Sequence, residues 1–176
     1  MFQRAGYPAD VSSNQGLRTL STYLDDHRAG AAAGQQLAER LAAHHGCEGG
    51  GALRVVARQV SEDADTLESI RQALGVGGGA VKRLLALTGG LLTRWRPDRR
   101  LLHPEALALV VDLEAMIAGV DAKRQLWSVL DLMSDDPRLQ AFDFSALIAR
   151  ADQQIELLRS AHRIESERLV PQSDAR

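Results

Sequence analysis

Apolar residues recur three and four positions apart along most of the chain, the spacing of one face of an α-helix. The first such run is residues 17–45, LRTLSTYLDDHRAGAAAGQQLAERLAAHH. It holds no proline, and Leu17, Leu20, Leu24, His27, Ala31, Gly34, Ala38 and Leu41 share its face. His27 stands in the middle of that stripe, and Gly30, Ala31 and Gly34 leave the helix without bulk just after it. Another backbone could come close there. Ser13 or Asn14 is the expected N-cap, after an N-terminal arm of weak periodicity. The glycine cluster GCEGGG at 46–51 breaks the helix and is short enough to send the chain back antiparallel.

The second helix is predicted from Leu53 to Leu74, with Leu53, Val56, Val60, Asp63, Leu67, Ile70 and Leu74 on one face. Asp63 therefore takes a core-facing position. A third, shorter helix is expected at 80–95, carrying Val81, Leu84, Leu85, Leu91 and Leu92, with Gly89 and Gly90 weakening its second half by about 1 kcal/mol each relative to alanine. The basic stretch RWRPDRRLLHP follows; Pro97 stops the helix and Pro104 suits the first turn of the next. The fourth helix, 104–133, has Leu113, Ile117, Val120, Trp127 and Leu130 on its stripe and Glu114 on its shoulder. After a turn containing Pro137, Asp143 is placed to cap a last helix, 144–169, whose face carries Ile148, Ala151, Ile155, Leu158, His162 and Leu169. Trp127 is expected in the core and Trp95, among arginines, nearer the surface.

Alternating strand-like runs are absent. The expectation is an all-α fold: helices one and two form one hairpin, four and five another, and the short third helix carries the chain across. That is a ferritin-like antiparallel four-helix bundle with an additional short crossover helix. The domain plan is a flexible arm at 1–15, one bundle domain at 16–169 and a frayed tail at 170–176.

Composition narrows the partners. A chain of 176 residues, 45% hydrophobic, supports one domain with a substantial core. A formal charge of -2 gives no basic face for nucleic acid. Aromatic residues are only 4%, so the core is aliphatic, which suits helix-on-helix packing. The single cysteine, Cys47, makes no internal disulfide. The N-terminus has no apolar leader, and no apolar run has the length of about 18 residues expected of a membrane span. The cytoplasm is the expected compartment.

Three stretches carry a resemblance: TYLDDHRAGAAAGQQLAERL (22–41), AGVDAKRQLWSVL (118–130) and ADQQIELLRSAHRI (151–164). Together they resemble a group of uncharacterised ferritin-like bacterial proteins, typical of high-GC actinobacteria, patterned YLNDHLAG…AG in the first helix and GK…LW in the fourth. The resemblance spans about residues 17–165 and implies a helical bundle without supplying an activity. Di-iron members of the wider superfamily use a Glu on each of two helices and Glu-x-x-His on the other two. This chain has no Glu-x-x-His: the third residue after Glu62 is Asp65, after Glu114 Ile117 and after Glu156 Arg159.

His27, Asp63, Glu114 and His162 are the polar residues on or beside the core faces of four helices. Two imidazoles and two carboxylates are a donor set for one divalent metal, Fe, Mn or Zn. The competing reading is a structural polar network, since buried polar groups need partners. A hairpin turning near residue 48 sets His27 about 9 Å along the axis from Asp63, which favours the network. Asp25, Asp26 and His27 are consecutive and point in different directions, so they are not one chelator. Glu62, Asp63, Asp65 and Glu68 read as a largely solvated acidic face, without the spacing or glycine of a calcium loop. Arg94, Trp95, Arg96, Arg99 and Arg100 read as a basic surface connection. His44, His45 and Cys47 lack a fourth zinc ligand. No phosphate loop or hydrolase signature is present.

The expected function is that of a non-enzymatic bundle acting through a protein partner or self-association, with no cofactor, no nucleic acid and no membrane span. The alternative is a noncanonical metal-binding ferritin-like protein with a redox or storage role.

Overall fold

The seven stripe positions of the second helix, Leu53 through Leu74, are all buried, Asp63 among them. The chain is seen here in a computed structural model that describes residues 9–44, 50–76 and 105–170. Among these residues there are four helices and no strand: α1 (Ala9–Ala42), α2 (Gly50–Ala73), α3 (Glu105–Asp131) and α4 (Phe144–Glu167). The expected short helix at 80–95, Trp95, the basic connection, His45 and Cys47 lie outside the described residues.

The core divides into two apolar clusters. One gathers Leu37, Ala38 and Leu41 of α1, Leu53, Val56 and Val60 of α2, Leu109 to Val120 of α3, and Ala151 to Ala161 of α4. The other gathers Leu24, Leu67, Ile70 and Leu74, Leu126, Trp127 and Leu130, and Leu139, Phe144 and Leu147. Following each helix between clusters fixes its direction. α1 and α4 run one way, α2 and α3 the other. α1 packs on α2 and α3, and α4 on α3 and α2, so α2 and α3 are parallel and diagonally opposed. The chain leaves α2 at the end holding Trp127 and re-enters α3 at the other.

Helix limits shift slightly from expectation. α1 begins at Ala9, so Ser13 and Asn14 are inside the helix rather than capping it, and residues 9–15 are helical rather than part of a loose arm. Extending a nucleated helix by a residue adds one hydrogen bond for one residue fixed. That extension makes no buried contact over 15–19, which are exposed. Asp143 caps α4 as expected, its carboxylate accepting the Ala146 backbone N–H at 2.9 Å. Trp127 is in the core at 1% exposure.

Candidate functional site

Between the two apolar clusters lies a polar layer. It arises from the heptad-like stripes themselves. On α2 the position between Val60 and Leu67 is Asp63; on α3 the position between Val120 and Trp127 is Lys123; on α4 Arg150 stands between Leu147 and Ala151, and Gln154 follows one turn on. Asp63 is 2% exposed and Gln154 fully buried. Lys123 Nζ donates to Asp63 Oδ2 and to Gln154 Oε1 at 2.6 Å. Arg150 donates to Asp63 Oδ1 and reaches Glu62 at 3.5 Å. Gln154 Nε2 donates to Asp63 Oδ2 at 3.1 Å and to Gln59 Oε1 at 3.2 Å. Both carboxylate oxygens of Asp63 are thus held by cations, and Glu62 beside Arg150 supplies the second negative charge. Burial pushes the Lys123 ammonium pKa down, against the pull of the Asp63 carboxylate.

The fourth wall of this layer is α1, and there the residues are small. A cavity of about 760 Å³ opens between α1 and α3, over a floor that includes Leu37, Val60, Leu67, Met116 and Trp127. Ala29, Gly30, Ala33 and Gly34 form one wall, and Ala115, Ala118, Gly119 and Ala122 the other. Asp26, Gly30, Ala118, Gly119 and Ala122 are exposed and form its mouth, so the cavity is a groove. A Cβ built at Gly30, Gly34 or Gly119 would meet no described atom within 4 Å. These three glycines therefore do not stand against a described neighbour; they line the open side of the groove.

His27 and Asp63 both line this groove. His27 packs edge-on against Tyr23, with ring centroids 4.6 Å apart, and burial lowers its imidazole pKa below 6.5, opposed weakly by Asp26. Burial raises the Tyr23 phenol. Glu114 and His162 are elsewhere, on the α3–α4 seam. With the proton on Nε2, His162 donates to Glu114 Oε1 at 3.2 Å and Nδ1 accepts from Ser166 Oγ at 3.5 Å. The four residues proposed from sequence thus fall into an α3–α4 surface pair, a cation-bound Asp63 and a groove-lining His27. Among the described residues no three His, Cys, Asp or Glu side chains gather as a metal-holding group.

A second buried network joins α1 to α2. Arg71, 3% exposed, donates to Asp25 and to Glu68 at 3.3 Å, and Glu68 pairs with Arg28 at 3.1 Å. Of the three consecutive residues Asp25, Asp26 and His27, Asp25 is the buried one. Sequence reasoning passed over Lys123, Gln154 and Arg71, although Lys123 and Gln154 occupy stripe positions three residues after Val120 and Ala151.

No described helix is long and apolar enough to cross a membrane. No protein-family model matches the chain, and neither a curated protein nor a solved structure is significantly similar to it.

Proposed function

We propose that this chain is a non-enzymatic, ferritin-like helical bundle that works through protein interaction, and that the groove between α1 and α3 is the surface that takes an apolar helix. The ferritin-like assignment is supported by the order of directions: two antiparallel hairpins with parallel α2 and α3, the end of α2 and the start of α3 lying at opposite ends of the bundle. The interaction reading is carried by one observation, an apolar groove in which a Cβ added at Gly30, Gly34 or Gly119 would meet no described atom within 4 Å. An apolar surface of this kind on a bundle marks a place where another element docks, and small residues let a helix backbone sit deep in it. The chemistry around the groove also favours binding over catalysis. Lys123 and Asp63 are consumed by each other, and His27 packs against a ring.

The test is an environment-sensitive fluorophore attached to Gly30→Cys in a Cys47→Ser background, compared with the same label at Gln125→Cys on the exposed side of α3. A covered groove gives blue-shifted emission at position 30 and water-like emission at 125. Equal emission at both positions overturns the reading.

A further inference from the structure

The two hairpins are also tied where α2 ends, by a bond that neither apolar cluster supplies. The end of α2 is a Schellman turn. Gly75 takes a φ of 69°, its N–H donates to the Gln72 carbonyl at 3.0 Å, and the Val76 N–H reaches back to the Arg71 carbonyl at 3.0 Å. Such an end still leaves its outermost carbonyls in need of donors. The guanidinium of Arg138, from the turn between α3 and α4, donates to the Leu74 carbonyl at 3.2 Å. A cation at the C-terminal end of a helix is favoured by the helix dipole as well.

Arg138 is held in place on its own side. Its backbone N–H and its Nε donate to Asp136 Oδ1 at 2.9 and 3.0 Å, and a terminal nitrogen donates to Oδ2 at 2.6 Å. Those bonds hold the Asp136 carboxyl down at about 2. Pro137 between the two residues fixes a backbone angle. Leu139, fully buried, anchors the turn in the apolar cluster that also holds Leu74. The other side of the bond leads inward. Arg71, whose carbonyl closes the Schellman turn, is 3% exposed, and its guanidinium donates to Asp25 of α1 and to Glu68.

From these contacts we propose that Arg138 is a clasp that joins the α3–α4 turn and the last turn of α2 into one cooperative unit, and by way of α2 keeps Arg71 on Asp25. The unit is made of two segments far apart in sequence, 71–76 and 133–142, which open together. When Arg138 leaves Leu74, the Schellman turn loses its outer support, the end of α2 frays, and Arg71 is drawn off a buried carboxylate. Sub-global openings of this kind let a packed protein rearrange without unfolding.

Native-state hydrogen exchange on the full-length chain tests it from both sides. The probes are the Gly75 and Val76 amides of α2, the Leu139 and Phe142 amides of the turn, and Val56 and Val60 as distant references. Arg138→Ala is expected to speed exchange at Gly75 and Val76 by roughly tenfold, the size of effect that losing one charge-assisted hydrogen bond produces, and to move the Asp25 carboxylate carbon resonance. Gly75→Ala damages only the α2 side, because alanine is strained at that φ. It is expected to speed exchange at Leu139 and Phe142 as well, since coupling between two sites is reciprocal. Turn amides unchanged in Gly75→Ala would make the two segments independent and overturn the proposal. So would Gly75 and Val76 amides unchanged in Arg138→Ala. Acceleration of Val56 and Val60 by the same factor as the probes would mean global destabilisation, and would overturn it too.

Discussion

Asp63 binds Lys123, Arg150 and the amide of Gln154 at once, so its removal leaves the largely buried Lys123 without a counter-charge and Arg150 with Glu62 alone. Asp63→Ala is expected to lower stability by about 3–5 kcal/mol, read as a fall in the urea midpoint. Lys123→Met leaves Asp63 its bonds to Arg150 and Gln154, relieves a buried ammonium, and is expected to lose about 1 kcal/mol or less. Equal losses would show that the network is not centred on Asp63. His27 gives a pH-dependent counterpart. Burial holds its folded-state pKa below the unfolded value of 6.5, so between those two values the unfolded chain binds more protons. Stability therefore rises with pH across that window and falls on acidification through it. The loss of midpoint between about pH 7 and pH 5 is expected to be smaller in His27→Gln than in the native chain; a larger loss would reverse the assignment. Asp63 was legible in the sequence because the α2 stripe has no gap. Lys123 was not, because a long cationic side chain at a stripe position ordinarily carries its charge out to water, and here it turns inward to a carboxylate. Asp25 and Arg71 stand one residue beyond Leu24 and Ile70, off the apolar face that periodicity reports, and are buried through each other.

Among the elements, α2 and the start of α4 were the most readable. α2 presents one regular stripe, and Asp143 supplies the N-terminal oxygen that α4 needs. The Ala146 N–H and the Ser145 hydroxyl both donate to that carboxylate and hold its pKa below 3.8. The cap contribution is accordingly complete above that value and disappears as pH falls through the depressed pKa. Asp143→Ala is expected to lower the thermal midpoint while Asp143→Asn retains most of it, since an amide oxygen still caps; identical losses would assign the effect to charge alone. The buried face of α4 is broader than the expected one. Phe144, Leu147, Ala151, Gln154, Leu158, Ala161 and Glu165 form a second series at spacings of three and four, with two polar members that disguise it. α1 was the least readable element. Its stripe is only partly covered: Leu17 is exposed, and Gly34 near its centre lines the groove. Periodicity reports which face a helix turns inward, and not how far the neighbour stands off.

At the scale of the molecule, each hairpin is internally well packed, and what crosses between hairpins is the two apolar clusters and the polar layer separating them. The apolar clusters are greasy aliphatic surfaces that tolerate sliding by a turn. The polar layer does not, since Asp63 of one hairpin must meet Lys123, Arg150 and Gln154 of the other. The layer is therefore expected to fix register more than to add net stability. Desolvating two cations and a carboxylate offsets most of their attraction, and replacing such a network with apolar residues of similar volume is often neutral or stabilising by about 1–4 kcal/mol. The quadruple variant Asp63→Leu, Lys123→Met, Arg150→Met, Gln154→Leu separates the two contributions. Its urea midpoint is expected to match or exceed that of the native chain, in contrast to Asp63→Ala, which leaves Lys123 without a counter-charge. Its amide NMR spectrum is expected to broaden or double, as helices sample neighbouring registers. A quadruple variant as unstable as Asp63→Ala would mean that the network contributes net stability. A variant both stable and sharp in its spectrum would mean that the aliphatic clusters alone set the register, and that the layer's remaining part is in lining the groove, where Lys123 and Asp63 both lie.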